Sequence, residues 1–255
     1  MDAPVTILNN FAKQDAWGAL KKFTHARIAV GRTGTAIPLA ENLHFRADHA
    51  NARDAVYATL DVEKLADDVG IFSLPVIQLQ SNAASRVEYL QRPDKGRQLD
   101  STSALKLAAE TACDIAIIIT DGLSAQAVQQ HACPVLSELI RLCNTHNFSL
   151  SPICIVQQGR VAISDEIGML LKAKLSIILI GERPGLSSPH SMGIYITYKP
   201  VTGLTDESRN CISNIHPSGG LAYAGAAAQA FALILSSFAM QLSGVGLKKP
   251  QPLAQ

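Results

Sequence analysis

The sequence predicts an α/β protein, with a Rossmann-like parallel sheet covered by helices on both faces and a smaller, mainly helical N-terminal region before it. In the second half, continuous apolar runs of strand length alternate with segments of helical periodicity. This alternation is typical of parallel strands buried on both faces. The first hundred residues are less regular and richer in helical spacing. We therefore expect a mainly helical region over residues 1–100 and a Rossmann-like α/β domain over residues 101–255.

Length and composition limit the class of protein. The chain has 255 residues, of which 47% are hydrophobic and 17% charged, so it can bury a sizeable core. A net charge of +1 disfavours nucleic acid and anionic membranes as partners. No uninterrupted apolar run reaches the ~18 residues of a membrane span, and no secretory signal is recognised. The five cysteines show no CxxC spacing, which predicts a cytosolic protein with reduced thiols and no metal site.

The first half contains the weaker signals. Apolar residues at helical spacing predict helices over residues 9–23 and 42–60, and a third helix is expected over 101–111. Residues 26–34 resemble an extended segment that enters a glycine turn. Pro75 interrupts the apolar run IFSLPVIQLQ, which argues against a central strand there.

The second half contains the stronger signals. Strands are predicted in four apolar runs, DIAIIITDG, PICIVQQG, SIILIGERPG and GIYITY. Helices are predicted after the first two runs, with Ser124 as a cap, and over residues 222–242. In such sheets ligands bind outside the carboxyl ends of the strands. We therefore expect the loops after the first three runs to lie along one edge.

The turn Gly181–Gly185, of sequence GERPG, ends the third run and places a carboxylate beside a guanidinium. Glu182 and Arg183 are adjacent, so on an extended chain they point to opposite sides and do not simply pair. A carboxylate at the mouth of a cleft suits a ligand that carries amides or hydroxyls. A solvated connecting turn is the alternative, and the residues alone leave both open.

No self-sufficient catalytic constellation is recognised. The P-loop and dinucleotide patterns are absent, and the segment DGLSAQ lacks the second glycine of a nucleophile elbow because Gln126 stands there. Ser124 is therefore favoured as a helix cap over a nucleophile. We assign no catalytic residue and no metal ligand. This absence favours a partner subunit or a bulky cofactor that brings the chemistry.

Seven motifs, in order, resemble the small (light) subunit of ethanolamine ammonia-lyase over residues 17–248. They are GRTGTAIP, FRADHANARDAV, LQRPDKGRQL, TDGLSAQAV, QGRVAISDEIG, GERPGLSSPHSMG and RNCISNIHPSGG. The resemblance implies an adenosylcobalamin (coenzyme B12) enzyme that converts ethanolamine to acetaldehyde and ammonia by a radical mechanism. It also implies a large subunit that holds the substrate, in a hetero-oligomer expected to be a heterododecamer.

The resemblance further implies cofactor-binding roles for Val161, Glu182 and Cys211. It implies a cytoplasmic enzyme, with a bacterial microcompartment as the alternative location. Only sixteen residues precede Trp17, where many members have a longer extension, and this argues against encapsulation. Two other functions stay open at this level, a stand-alone corrinoid-binding module and an α/β hydrolase that uses Ser124 or Cys211.

Overall fold

The computed structural model describes residues 15–24, 26–108 and 110–247. By internal contacts these residues form two units. The first reaches Asp54 and includes Gly185–Pro189, and the second comprises Ala55–Pro184 and the chain from His190 onward. The division into a helical region over residues 1–100 and an α/β domain over residues 101–255 stays a prediction.

The N-terminal part is helical. A 3-10 helix spans Ala16–Phe23, and Asp15 caps it by accepting a hydrogen bond from the Trp17 amide at 2.9 Å. Helix α1 spans Leu39–Tyr57. The predicted helix over 42–60 is thus confirmed with shifted ends, whereas residues 9–14 of the first predicted helix lie outside the described residues.

Six strands in the described part of the chain form one sheet in the order β1-β3-β2-β4-β5-β6. The strands are β1 Val76–Gln80, β2 Ile115–Thr120, β3 Leu150–Gln157, β4 Leu175–Gly181, β5 Met192–Tyr198 and β6 Arg209–Ile215. Neighbours among β1, β3, β2 and β4 pair in parallel, but β5 is antiparallel to β4, and β6 to β5. The expectation of a parallel fourth strand is therefore wrong for GIYITY. The link from β4 to β5 contains no helix, and a parallel return needs a longer crossover.

Strand β1 lies at the edge of the sheet, as the proline before it requires. Pro75 immediately precedes Val76, and its carbonyl accepts a hydrogen bond from the Ile153 amide at 2.8 Å. The prediction that this segment is not a central strand is confirmed.

Helices cover both faces of the sheet, as predicted. The remaining helices are α2 Val62–Val69, α3 Arg86–Gln91, α4 Ser101–Leu107, α5 Ala125–Thr145, α6 Ile163–Leu170 and α7 Tyr223–Met240. On β2, Ile117 and Ile119 face a core formed with α2, α5 and α7. Ile118 faces the opposite core, formed with α4 and α6. The alternation of side chains along a strand thus supplies both layers.

Among the described residues, α7 is the one helix long and apolar enough to suit a membrane span by length and composition. Its inner side packs in the protein core, where Ile234 and Phe231 are both buried. A core helix can meet the same criteria of length and apolar composition, and the packing of α7 is that of a core helix.

Candidate functional site

The carboxyl ends of β2 and β4 pack closely, and this contact shapes the edge of the sheet. The Leu123 amide donates a hydrogen bond to the Gly181 carbonyl at 2.9 Å. A Cβ atom on Gly181 would lie 2.1 Å from the Ser124 carbonyl oxygen, so no side chain fits at this position. Gly181 therefore allows β4 to end against the turn that follows β2.

A cavity of about 390 Å³ opens at this edge, where the predicted ligand cleft was expected. Its lining combines apolar, aromatic and charged side chains from the ends of β2, β3 and β4, from α3 and from β5. The lining residues are Tyr89, Leu123, Arg160, Val161, Ile180, Gly181, Glu182, Arg183 and Tyr195. Two of the three residues predicted to bind the cofactor, Val161 and Glu182, are therefore neighbours in one cavity.

The Glu182 carboxylate lies against two neighbouring strands, β5 and β6. Its Oε2 accepts a hydrogen bond from the Asn214 amide of β6 at 3.1 Å. Its Oε1 lies 3.0 Å from the position that a Cβ atom would take on Gly193 of β5. Glycine at 193 thus leaves room for the carboxylate. Among the described residues neither Glu182 nor Arg183 enters an ion pair, which agrees with the expectation that the two do not pair.

Cys211 does not line the cavity, but it contacts Tyr195, which does. It sits on β6 directly opposite Tyr195 of β5, and the Tyr195 hydroxyl bonds the thiol. Tyr195 lines the cavity. Desolvation of the thiol raises the pKa of Cys211, and the nearby Glu182 carboxylate adds to this. Cys211 is therefore a protonated thiol at neutral pH and is not activated as a nucleophile.

Ser124 is the N-cap of α5, as predicted. Its Oγ accepts a hydrogen bond from the Ala127 amide at 3.4 Å, and the residue is fully buried. A buried capping hydroxyl is a poor candidate for attack on an external substrate. Burial of Ser124 and the raised pKa of Cys211 thus disfavour both nucleophiles of the hydrolase hypothesis.

Arg160 and Tyr89 are cavity residues that sequence reasoning missed. The Arg160 guanidinium lies over the Tyr89 ring, 4.2 Å from its centroid, and its Nη2 donates to the Tyr89 carbonyl at 2.8 Å. Tyr89 is buried, and burial raises the pKa of its hydroxyl to about 12. The sequence offered one signal for Arg160 as a site residue, its position directly before Val161 in the loop after β3.

A largely buried ion pair lies next to the cavity residue Tyr89, since the Arg86 guanidinium is 4.8 Å from the centroid of the Tyr89 ring. Arg86 Nη1 is 3.5 Å from the Asp121 carboxylate and donates to the Gly122 carbonyl at 2.7 Å. Burial raises the pKa of Asp121 to about 6, and the Arg86 cation partly opposes this. The pair joins the start of α3 to the turn after β2.

A second buried pair joins α6, the helix that follows Val161, to β6, the strand that contains Cys211. Arg209, the first residue of β6, donates from Nη1 and Nη2 to the two carboxylate oxygens of Asp165 at 2.5 and 2.8 Å. Asp165 lies in the first turn of α6, four residues after Val161. Both side chains are almost fully buried. The pair therefore fixes α6 relative to β6.

These features define a class: an α/β protein with a ligand-sized cavity at the carboxyl edge of its parallel strands. Comparison with known proteins identifies the family. A sequence profile of the ethanolamine ammonia-lyase light chain matches residues 14–248.

Individual relatives agree with the profile. The chain is 46% identical to the ethanolamine ammonia-lyase small subunit of Ralstonia nicotianae over 97% of this chain and 92% of the relative. It is 47% identical to that of Pseudomonas syringae pv. tomato, over 97% and 88% of the two chains. It is 48% identical to that of Pseudomonas aeruginosa, over 94% and 90%. The chain therefore belongs to the ethanolamine ammonia-lyase small-subunit family, a family of lyases, and the predicted resemblance is confirmed.

Proposed function

We propose that this chain helps to bind adenosylcobalamin in an enzyme that converts ethanolamine to acetaldehyde and ammonia, while a large subunit holds the substrate. One observation carries the cofactor part of the proposal. Val161 and Glu182, which the family resemblance implies as cobalamin-binding residues, line one cavity, and Cys211 bonds a third lining residue, Tyr195.

The chemistry of the cavity suits a corrinoid. A corrin ring carries neutral amide side chains around an apolar centre, so its site needs acceptors, donors and apolar contacts. Glu182 can accept further hydrogen bonds, because a carboxylate has about four acceptor positions and the Asn214 amide uses one. Val161, Leu123 and Ile180 supply apolar contact.

The size of the cavity supports a shared site. A corrinoid is larger than about 390 Å³, so this cavity holds one edge of it. The remaining surface is then left for the large subunit. When bound, the cofactor supplies a carbon radical that removes hydrogen from the substrate. This chain contributes binding and orientation, and we assign it no catalytic residue.

The relatives are named small subunits, which implies a large-subunit partner, and the exposed apolar surface of the N-terminal unit supports one. Between residues 15 and 54, Ala52 alone of the described residues is buried. Large apolar side chains are exposed there, with 66% of Trp17, 75% of Phe23 and 72% of Leu39 accessible. Exposed apolar groups on this scale are typical of protein interfaces. We propose that the large subunit covers this surface.

The proposed assembly is a heterododecamer, on the family resemblance. The proposed location is the cytoplasm, because all five cysteines are free thiols. A bacterial microcompartment stays a prediction from the resemblance.

Reconstitution tests the proposed function. Ammonia release from ethanolamine should require this chain, the large subunit and adenosylcobalamin together, and any two of the three should be inactive. Ammonia release by this chain with the cofactor alone would contradict the division of labour. Tight cofactor binding by the chain alone, unchanged by the large subunit, would instead favour a stand-alone corrinoid-binding module.

A further inference from the structure

We propose that Arg160 binds the phosphodiester of the cofactor's nucleotide tail, which makes it a specificity-determining residue for the complete cobalamin. This inference rests on the proposed function. It depends on how the Arg160 guanidinium is held and on which of its donors lack a partner.

The Arg160 side chain is fixed before any ligand binds. Its backbone amide donates to the Gly96 carbonyl at 2.7 Å, and its guanidinium stacks on Tyr89. A Cβ atom on Gly96 would lie 2.7 Å from Arg160 Cγ, so glycine at 96 makes room for the side chain. A guanidinium fixed in this way loses little rotamer freedom on binding.

The charge of Arg160 is not matched by a carboxylate. Two other arginines with largely covered side chains, Arg86 and Arg209, each have an aspartate partner. Among the described residues no ion pair includes Arg160. Its Nε is buried without a hydrogen-bond partner, and so are Arg86 Nη2 and Arg209 Nε, so the unmatched charge is what distinguishes Arg160. Its side-chain hydrogen bond to Tyr89 goes to a neutral carbonyl. A cation with a largely covered side chain and no carboxylate partner is costly, so the charge of Arg160 is explained if a ligand supplies the anion.

The surroundings favour an anion. Arg183 also lines the cavity and forms no ion pair among the described residues, so two guanidinium groups face one carboxylate, Glu182. Arginine binds phosphate oxygens through two parallel N–H donors. In adenosylcobalamin the corrin side chains are neutral amides, and the phosphodiester is the anionic group. This chemistry assigns Arg160 to the phosphodiester and leaves the amides to Glu182.

A pair of ligands isolates this contact. Adenosylcobinamide has the same corrin ring and adenosyl group but lacks the phosphate, ribose and benzimidazole. The reconstituted complex of both subunits is titrated with each ligand, to millimolar concentration, for wild type, Arg160→Gln and Arg160→Lys. Arg141→Gln, on the exposed end of α5, is the matched control. Thermal unfolding and gel filtration check fold and assembly.

We expect Arg160→Gln to weaken adenosylcobalamin binding by about 10- to 100-fold, in line with loss of a charge-assisted hydrogen bond. Adenosylcobinamide binding should change less than about twofold, since that ligand offers Arg160 no phosphate. The affinity of Arg160→Lys for adenosylcobalamin should lie between those of wild type and Arg160→Gln, because lysine keeps the charge and loses the paired donors.

Equal weakening for both ligands, or none for either, would overturn the role of Arg160. If the wild-type complex binds neither ligand, the proposed function itself fails, which is a separate result.

Discussion

The ion pair between Asp165 and Arg209 gives a prediction about stability whose size follows from its burial. The two side chains are 2% and 1% exposed, and the pair is bidentate. Asp165→Asn removes one charge and leaves the Arg209 cation buried. Asp206 offers weak compensation at 3.5 Å, since its side chain is 92% exposed. Breaking a buried pair from one side costs about 3–5 kcal/mol.

We expect Asp165→Asn to lower the unfolding free energy by about that amount in urea titrations, and Tm by roughly 6–20 °C at about 2–4 °C per kcal/mol. The double variant Asp165→Asn/Arg209→Met should be more stable than Asp165→Asn alone, because it also removes the unpaired cation. Asp94→Asn is the control, since the Arg92–Asp94 pair is exposed and should matter little. Wild-type stability in Asp165→Asn would refute the reasoning.

Three further predictions concern titration, the thiol and the partner surface. Because the folded-state pKa of Asp121 is about 6 against an ordinary 3.8, its contribution to stability is full below pH 3.8 and is lost as pH rises through 6. The unfolding free energy of wild type relative to Asp121→Asn should therefore fall between pH 4 and 7, and a constant difference would exclude the raised pKa. Cys211→Ser should weaken adenosylcobalamin binding by less than about tenfold and leave turnover nearly intact, since its thiol is protonated and reaches the cavity through Tyr195; abolished turnover with unchanged binding would contradict this. Phe23→Ser should weaken association with the large subunit and reduce self-association of the free chain in sedimentation, whereas Leu105→Ser, equally exposed on α4, should not; equal effects of both would argue against an N-terminal interface.

The parallel part of the sheet could be predicted from the sequence because its strands are buried on both faces. Runs such as Ile115–Thr120 contain little besides apolar residues, and the turns after them contain glycine. Pro75 marked the edge strand through its missing amide proton. These signals are local, so no knowledge of distant contacts was needed.

The antiparallel strands could not be predicted in full because their pairing depends on tertiary context. Strand β6 reads RNCISNI, in which polar residues are frequent, and it pairs on one side with β5. The GIYITY run was recognised as a strand, but its direction depends on the connection before it.

Within the candidate site, residues at strand ends were predicted and residues brought from elsewhere were missed. Glu182 and Val161 follow β4 and β3, where parallel sheets bind ligands. Tyr89 comes from a short helix far earlier in the chain, and nothing local marks it. The orphan Nε of Arg160 is a property of packing, which composition and spacing do not encode.

Binding of the corrinoid in the cavity at the carboxyl edge of the sheet is the central claim, and Glu182 tests it directly. The reconstituted complex is titrated with adenosylcobalamin for wild type, Glu182→Gln and the control Glu63→Gln, which lies exposed on α2. Glutamine keeps the shape and loses the charge, so Glu182→Gln should bind the cofactor about 10- to 100-fold more weakly while assembly in gel filtration is unchanged. Glu63→Gln should match wild type. Unchanged affinity in Glu182→Gln, with assembly intact, would contradict the central claim and make the GERPG turn a connecting loop.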